Sequence, residues 1–264
     1  MSFLQSIALG IIQGVSEFIP ISSSGHLVVG RAIMGIGEVP LLYDVILHVA
    51  TLIVVIVFFR QRISKVLAAL FRWFVRKSTD QDASELRLLV AILVATVVTV
   101  IIGLSIRQFD LHLYPRVVSV AFLLTAGLLI ASHFLGGNID YSSIRSKHAV
   151  LVGAMQGFSV IPGISRSGST IFAALASGVS REKAGEFSFL LSIPAILGAL
   201  LIELSSFGDL NMVLSPTALI TGFVAAMVFG YLSLSLLVRL IRGGKLWVFS
   251  IYLIPLGVAG FFFL

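Results

Sequence analysis

Long apolar runs without a charged residue dominate this sequence, and they limit what the chain can fold into. A membrane-spanning helix needs about 20 mostly apolar residues. Five runs free of Asp, Glu, Lys and Arg are candidates for such helices: 45–59, 88–106, 117–139, 210–238 and 246–264. A sixth run, 184–202, carries Glu186 near one end and Pro194 inside, which a buried helix of a bundle tolerates. The pattern predicts an all-α polytopic membrane protein of about six transmembrane helices.

Composition and charge agree with this prediction. Hydrophobic residues make up 58% of the chain and charged residues 11%, and the mean hydropathy is +1.09, outside the range of soluble globular proteins. The net charge is +6, but the basic residues cluster between apolar runs, which indicates membrane orientation and not a nucleic-acid partner. The chain has no cysteine, which excludes disulfides, thiolate metal ligands and thiol nucleophiles.

Two further apolar stretches, 1–35 and 148–180, are each interrupted midway by Pro, Gly and several Ser residues. Neither is expected to form one continuous spanning helix. Non-helical backbone at membrane depth is tolerated only where it is buried in protein or lines a cavity. Both stretches are therefore predicted to be re-entrant helical hairpins.

The basic clusters predict the orientation of the chain. The segments 60–77 and 239–245 are rich in Lys and Arg and are expected to be cytoplasmic loops. Following the spans from there, the connections near 107–116 and 205–215 fall on the outer side, and 140–148 returns to the cytoplasm. The two re-entrant hairpins then enter the membrane from opposite faces.

The two interrupted stretches also resemble each other in sequence. QGVSEFIPISSSGH at 13–26 aligns without a gap on QGFSVIPGISRSGS at 156–169, and seven of the fourteen positions are identical. Inverted repeats with interrupted helices in matching positions point to a polar site near the bilayer midplane. The chain is therefore predicted to be one membrane domain, 1–264, built from inverted repeats at approximately 1–135 and 145–264.

Ionisable side chains within the interrupted stretches are the first candidates for function. Glu17 and His26 lie in the first stretch and Arg166 in the second, while Arg31 simply reaches an interface in this interpretation. A charge near the membrane centre costs about 2.5 to 3.5 kcal/mol on insertion scales unless it is paired or solvated in a cavity. Glu17, His26 and Arg166 are therefore expected to meet in one pocket.

The loops around these residues have the chemistry of an anion site. Glycine lets the backbone approach a ligand, interrupted helix ends direct positive dipoles at it, and arginine matches phosphate oxygens. His26 follows Ser23 by three residues, so the imidazole can serve as base or acid if both share one helix face. The predicted phosphate-binding set is Ser22, Ser24, Gly25, Ser165, Ser167, Gly168 and Thr170.

Two long motifs are similar to those of a known family. The element QxxxE at 13–17 with PISSSGH at 20–26, and PGISRSG at 162–168 followed by EFSFLLSIP at 186–194, resemble the undecaprenyl-diphosphate phosphatase family, also called the bacitracin-resistance family. The resemblance spans nearly the whole chain. It implies a multi-pass plasma-membrane enzyme that hydrolyses undecaprenyl diphosphate to the monophosphate, recycling the carrier lipid for cell-wall synthesis and conferring bacitracin resistance. It also implies catalytic roles for Glu17, Ser23, His26 and Arg166.

The resemblance associates a divalent cation, Mg²⁺ or Ca²⁺, with the QxxxE element, whose metal candidates are Glu17 and Gln13. Gln13 stands where the family often has glutamate, which puts a two-carboxylate site in doubt. One carboxylate plus substrate phosphates and water is the arrangement expected here, as is common for Mg²⁺.

Other interpretations remain open at the level of sequence. The serines can act as helix caps and small packing residues, and Arg166 can be a structural partner of Glu17. Glu186 and Ser188 are supporting candidates, and His48 and Asp44 are assigned to packing or an interface, with an approach of His48 to the pocket left open. Because inverted repeats around a midplane site also characterise alternating access, a polyprenyl-phosphate flippase or transporter is the rival function. Covalent attack by Ser23 and direct attack by water fit the same residues. Besides the lipid substrate and membrane lipids, we count a homodimer among the candidate partners.

Overall fold

The computed structural model describes residues 1–36, 39, 41–109, 115–205 and 215–263. Short 3-10 turns lie at Tyr141–Ser143 and Leu246–Phe249, and no strand is formed within the described ranges. The predicted all-α class is confirmed. The helices are α1 Phe3–Phe18, α2 Ser23–Ile33, α3 Leu41–Phe58, α4 Arg60–Phe74, α5 Asp82–Arg107, α6 Pro115–His133, α7 Ser146–Phe158, α8 Arg166–Ala176, α9 Arg181–Ser205, α10 Pro216–Arg242 and α11 Ser250–Phe263.

Several helices have the length and apolar character of membrane spans. Four qualify by themselves: Asp82–Arg107, Arg116–His133, Arg181–Ile202 and Pro216–Arg242. A bent pair, α3 and α4, adds a fifth if its two helices, which meet at 75°, are counted as one span. The helices at the two ends of the chain are apolar but shorter. The multi-pass membrane fold is confirmed, and the described residues supply four or five spans where the sequence predicted about six.

Two predicted span boundaries are wrong, for local reasons. The run 117–139 ends as a helix at His133, because Gly136 adopts a positive φ of 140° that does not continue a helix. The run 210–238 begins as a helix at Pro216, where the ring fits the first helical turn. Most of the predicted outer connections, 110–114 and 206–214, lies outside the described residues.

The basic segments are helical and not the loops that their charge suggested. Residues 60–74 form α4, whose buried positions Val66 and Ala69 are three residues apart, a helical spacing. Arg239 and Arg242 belong to the last turn of α10, where cations interact favourably with the helix dipole. The high density of charge suggested loops, but segment 60–77 contains the amphipathic helix α4 and segment 239–245 contains the end of α10.

Arg62 of α4 holds three helices together. It forms ion pairs with Glu85 of α5, at 2.6 Å, and with Glu186 of α9. Lys183 lies 3.5 Å from the same Glu186 carboxylate. Glu186, a supporting candidate for the site, therefore belongs to this separate charged cluster.

Both interrupted stretches form a helix, a break and a second helix, as predicted. The first break, 19–22, separates α1 from α2, and the second, 159–165, separates α7 from α8. Each break contains a residue with positive φ, Ser22 at 72° and Gly163 at 95°. A Cβ atom on Gly163 would lie 2.5 Å from the Val118 carbonyl oxygen, so both the backbone angle and the close approach require glycine there.

Small residues bring the first helix of each interrupted stretch against a long helix from the other half of the chain. Gly10 and Gly14 of α1 pack on α10, where a Cβ atom on Gly14 would lie 2.6 Å from the Ala226 carbonyl oxygen. In α7, Gly153 and Gly157 pack on α5, and a Cβ atom on Gly153 would lie 2.4 Å from the Ala95 carbonyl oxygen. Both pairs have the four-residue spacing of GxxxG helix contacts in membranes.

Candidate active site

The two breaks lie against each other. Arg166 at the start of α8 forms an ion pair with Glu17 near the end of α1. The Ser167 hydroxyl donates to the Phe18 carbonyl oxygen at 2.9 Å, and the Gly163 amide donates to Ser22 Oγ at 3.3 Å. Side-chain and backbone contacts therefore join two segments about 150 residues apart in sequence, as the charge argument predicted for Glu17 and Arg166.

The Glu17 carboxylate is the centre of this contact. Its Oε1 accepts from Arg166, and its Oε2 accepts from Ser23 Oγ at 2.8 Å and from Gln13 Nε2 at 3.2 Å. The arrangement follows from the local structure, because Gln13 and Glu17 are one turn apart on α1 and Ser23 is the first residue of α2. Only 6% of the Glu17 side chain is exposed, so these donors replace water around a buried charge.

Two helix N-termini meet at this point. Ser23 begins α2 and Arg166 begins α8, so the positive ends of both helix dipoles lie beside the Glu17 carboxylate. Ser165 caps α8, and its hydroxyl accepts from the Gly168 amide at 3.2 Å. Backbone amides and a guanidinium at paired helix starts form an environment suited to an anion.

A cavity of about 410 Å³ opens from the ion pair. Its polar end contains Glu17, Ser23 and Arg166. Its walls are mostly apolar and come from α5 and from the second half of α9, with Val100, Leu104, Pro194, Ile196, Leu200 and Ile202 among the lining residues. The combination of a charged end and an apolar channel fits an amphipathic ligand better than a free ion.

The structure does not bring His26 together with Ser23. Its Nδ1 lies 2.8 Å from the Ser22 carbonyl oxygen and its Nε2 lies 2.7 Å from the Tyr252 hydroxyl of α11. The ring also makes an edge contact with Phe122 of α6. The imidazole therefore connects α2 to α6 and α11. His26 is not among the described residues that line the cavity with Ser23, and its catalytic role stays a prediction.

The predicted phosphate-binding residues are placed around the breaks, and in the described part of the chain they do not line the cavity. Ser165 and Ser167 bond to each other at 3.2 Å, and Thr170 bonds to Ser188 of α9. Ser22 and Ser24 lie 3.5 Å apart at the start of α2. A Cβ atom on Gly25 would lie 3.1 Å from the Phe122 ring, and one on Gly168 would lie 3.1 Å from Pro20 Cβ. These contacts match the alternative interpretation of capping and packing, and a role in phosphate binding stays a prediction.

Comparison with known proteins agrees with the motifs. The sequence profile of the family described as "Bacitracin resistance protein BacA" matches residues 6–259. The chain belongs to the BacA family. The family resemblance inferred from the two motifs is therefore confirmed over residues 6–259 of this chain.

Several curated relatives of this BacA family member are named undecaprenyl-diphosphatase. The relative from Treponema denticola is 47% identical over 258 residues, covering 98% of this chain and 96% of that protein. The relative from Borrelia recurrentis is 38% identical over 255 residues, covering 96% of each chain. The archaeal relative from Methanosphaera stadtmanae is 38% identical over 269 residues, covering 98% of this chain and 96% of that protein.

Six polar residues of this BacA family member line the cavity besides the predicted site residues: His48, Thr96, Thr99, Arg107, Gln156 and Ser159. His48 of α3 was assigned to packing, and its Nδ1 lies 2.9 Å from the Asp44 carbonyl oxygen, which leaves Nε2 for other partners. Gln156 of α7 and Thr99 of α5 also line the cavity and bond to each other at 3.2 Å. Signals existed for two of them, because His48 is ionisable within an apolar run and Gln156 aligns with Gln13.

The oxygen ligands available to a divalent cation in this BacA family member are few. The described residues contain no cluster of three or more His, Asp or Glu side chains suited to a metal. Glu17 offers one carboxylate, and Gln13 offers a buried amide oxygen, Oε1, that has no hydrogen-bond partner. This orphaned oxygen beside a carboxylate fits a hard cation that takes its remaining ligands from substrate oxygens and water.

Proposed function

We propose that this BacA family member is a membrane phosphatase that hydrolyses undecaprenyl diphosphate to undecaprenyl phosphate and inorganic phosphate. The observation that carries the proposal is the Ser23–Glu17–Arg166 contact at the polar end of an apolar cavity. Relatives 38% to 47% identical over nearly the full chain are named for this activity. The product is the carrier lipid of cell-wall synthesis, so the activity recycles the carrier and supports bacitracin resistance.

The proposed pose follows from the chemistry of the cavity. The diphosphate lies at the charged end, where Arg166 and the amides at the starts of α2 and α8 neutralise it. The isoprenoid tail lies along the apolar walls of α5 and α9. Arg166 is already bonded to Glu17. The terminal phosphate therefore displaces the Glu17 carboxylate from one edge of the guanidinium.

This exchange prepares Ser23 for attack. When phosphate draws Arg166 away, the Glu17 oxygen that accepts from Ser23 Oγ at 2.8 Å is the base placed to take the hydroxyl proton. The Ser23 oxygen forms a bond to the terminal phosphorus and its proton moves to Glu17. The anhydride P–O bond breaks, and its electron pair leaves with undecaprenyl phosphate, which takes the proton from Glu17. Water then hydrolyses the phosphoserine.

A divalent cation is part of the proposal. Glu17 and Gln13 are the residues that would hold it, and when bound it would supply positive charge to the phosphate oxygens. Mg²⁺ and Ca²⁺ are the candidates by ligand type, because both prefer oxygen.

The finer placement of the protein is also proposed. The Lys- and Arg-rich segments 60–77 and 239–245 are placed in the cytoplasm of a cell whose plasma membrane the chain crosses several times. The segments 1–135 and 145–264 are proposed as inverted repeats. Support comes from the aligned motifs and from the matching glycine contacts of α1 with α10 and of α7 with α5. A homodimer stays a prediction.

Phosphate release in detergent is the experiment that tests the function. Purified wild type is expected to release phosphate from undecaprenyl diphosphate, and Ser23→Ala is expected to lose at least about 10³-fold in kcat, because the attacking oxygen is removed. Ser84→Ala, which removes an exposed hydroxyl at the start of α5, is the matched control and keeps wild-type activity.

The same experiment separates the enzyme from a transporter. Detergent removes the two sides between which a flippase moves lipid, so release of phosphate there requires hydrolysis. Absence of release by folded wild type, with and without added Mg²⁺ or Ca²⁺, would contradict the phosphatase. Retention of full activity by Ser23→Ala would contradict attack by Ser23.

A further inference from the structure

Gln156 combines two features that point to a ligand. Only 2% of the residue is exposed, and its Oε1 has no hydrogen-bond partner. It also lines the cavity that contains Glu17, Ser23 and Arg166. A buried amide oxygen without a donor is unfavourable, so this acceptor is expected to be paired when the cavity is filled.

The orientation of the Gln156 amide is fixed by its neighbours. Its Nε2 donates to Thr99 Oγ1 at 3.2 Å. The Thr99 hydroxyl has a single proton, which is directed to the carbonyl oxygens of Ala95, at 2.7 Å, and Gly153, at 3.0 Å. The Thr99 oxygen is therefore left as an acceptor, so the nitrogen of Gln156 must face it. A flipped amide would place two acceptors together, and Oε1 is consequently the atom left without a donor.

The chemistry of the cavity limits what can donate to Gln156 Oε1. The Glu17 carboxylate and the phosphate oxygens of a diphosphate are acceptors, and an amide oxygen set directly against them would be repelled. Arg166 is needed by Glu17 or by the phosphate, and neither Arg107 nor His48, which also line the cavity, donates to Gln156 Oε1 in the structure. Water is the mobile donor that can give one proton to Gln156 and still present a lone pair to phosphorus.

We propose that Gln156 is a catalytic residue that orients the water hydrolysing the phosphoserine on Ser23, an inference that rests on the proposed function. The water oxygen forms a bond to phosphorus and the Oγ–P bond breaks, with its electron pair returning to Ser23 Oγ. One proton of the water ends on Oγ and the other stays on the released hydrogenphosphate. Thr99 is a positioning residue that acts through Gln156.

Replacement of Gln156 tests the proposal. Gln156→Met keeps an unbranched side chain of similar length but removes the acceptor. It is expected to lower kcat by about 10²-fold, the usual cost of a misplaced reactant, and to lower KM in proportion, because only the step after phosphoserine formation is slowed and kcat/KM is unchanged. With substrate labelled in its terminal phosphate, acid-stable label on Ser23 is expected to accumulate, together with a burst of undecaprenyl phosphate equal to the enzyme. A thermal unfolding midpoint in detergent checks that the variant folds.

Thr99 supplies a second test if Gln156→Met does not fold. Thr99→Val removes the anchor of the amide and is expected to give a smaller fall in kcat with kcat/KM unchanged, and Thr99→Ser restores kcat. Thr221→Val is the matched control, since Thr221 of α10 is not among the described residues that line the cavity and donates to the Thr217 carbonyl oxygen of its own helix at 2.9 Å. It keeps wild-type turnover.

Failure of this inference differs from failure of the proposed function. Unchanged kcat in folded Gln156→Met, or a fall in kcat without added label on Ser23, would overturn the role of Gln156 while wild type still released phosphate. A rise in KM at unchanged kcat would overturn it too, by assigning Gln156 to substrate binding. Inactive wild type would remove the phosphatase itself.

Discussion

Glu17 and Arg166 neutralise each other where the two interrupted stretches meet, and the same pair is proposed to act on substrate. A buried ion pair of this kind has two separable effects. Removing one partner leaves an unpaired buried charge, which destabilises the fold, whereas removing both charges restores most of the stability. Catalytic activity, in contrast, is lost whether one charge or both charges are removed.

A double-mutant cycle separates the two effects. Arg166→Met is expected to lower the free energy of unfolding by about 3–5 kcal/mol, and Glu17→Gln with Arg166→Met is expected to recover most of it. Phosphate release stays lost in both variants. Arg242→Met is the control, because Arg242 and Glu182 form an exposed pair worth about 0–1 kcal/mol. Thermal unfolding and phosphate release are the measurements, and activity in the double variant would contradict a catalytic role for Arg166.

At the level of single residues, the sequence predicted the meeting of Glu17 with Arg166 but not the direction of every side chain. The cost of a buried charge required a partner for Glu17, and Arg166 was the available cation. His26 and Ser23 are three residues apart, and spacing alone did not reveal that Tyr252, more than 200 residues away, bonds the imidazole. Gln156 depends in the same way on Thr99, a contact between helices that no local pattern encodes.

At the level of helices, glycine contacts set how closely α7 approaches α5. Gly153→Ala is expected to lower stability by about 1–3 kcal/mol, because its Cβ atom would lie 2.4 Å from the Ala95 carbonyl oxygen and the helices must separate. Gly127→Ala in α6 is the matched control, since no atom lies within 4 Å of its Cβ position. Equal unfolding midpoints for the two variants would contradict the close contact of α7 with α5.

The two interrupted helices could be predicted from sequence because Pro, Gly and Ser punctuate otherwise apolar runs. α4 could not, because its high charge resembles that of a loop while its packing depends on Arg62 reaching Glu85 and Glu186 on two other helices. The end of α6 was also missed, since a positive φ at Gly136 is decided by its surroundings and not by composition.

At the level of the whole molecule, the basic segments predict which end of each membrane helix lies on the cytoplasmic side. The chain has no cysteine, so single cysteines report their own position. Lys77→Cys and Lys245→Cys, at exposed positions, are expected to react with an impermeant thiol reagent only from the cytoplasmic side. Gln108→Cys, exposed after the end of α5, is expected to react from outside. Reaction of all three from one side would contradict the orientation.

The central claim is that diphosphate binds where the two interrupted stretches meet. The most direct test is a structure with an undecaprenyl diphosphonate in which a methylene group replaces the anhydride oxygen and blocks hydrolysis. The account predicts the terminal phosphonate in contact with Arg166 and Ser23, and the tail along α5 and α9. A headgroup held instead in the basic cavity between α9 and α10, by Arg239 and Arg242, would contradict it.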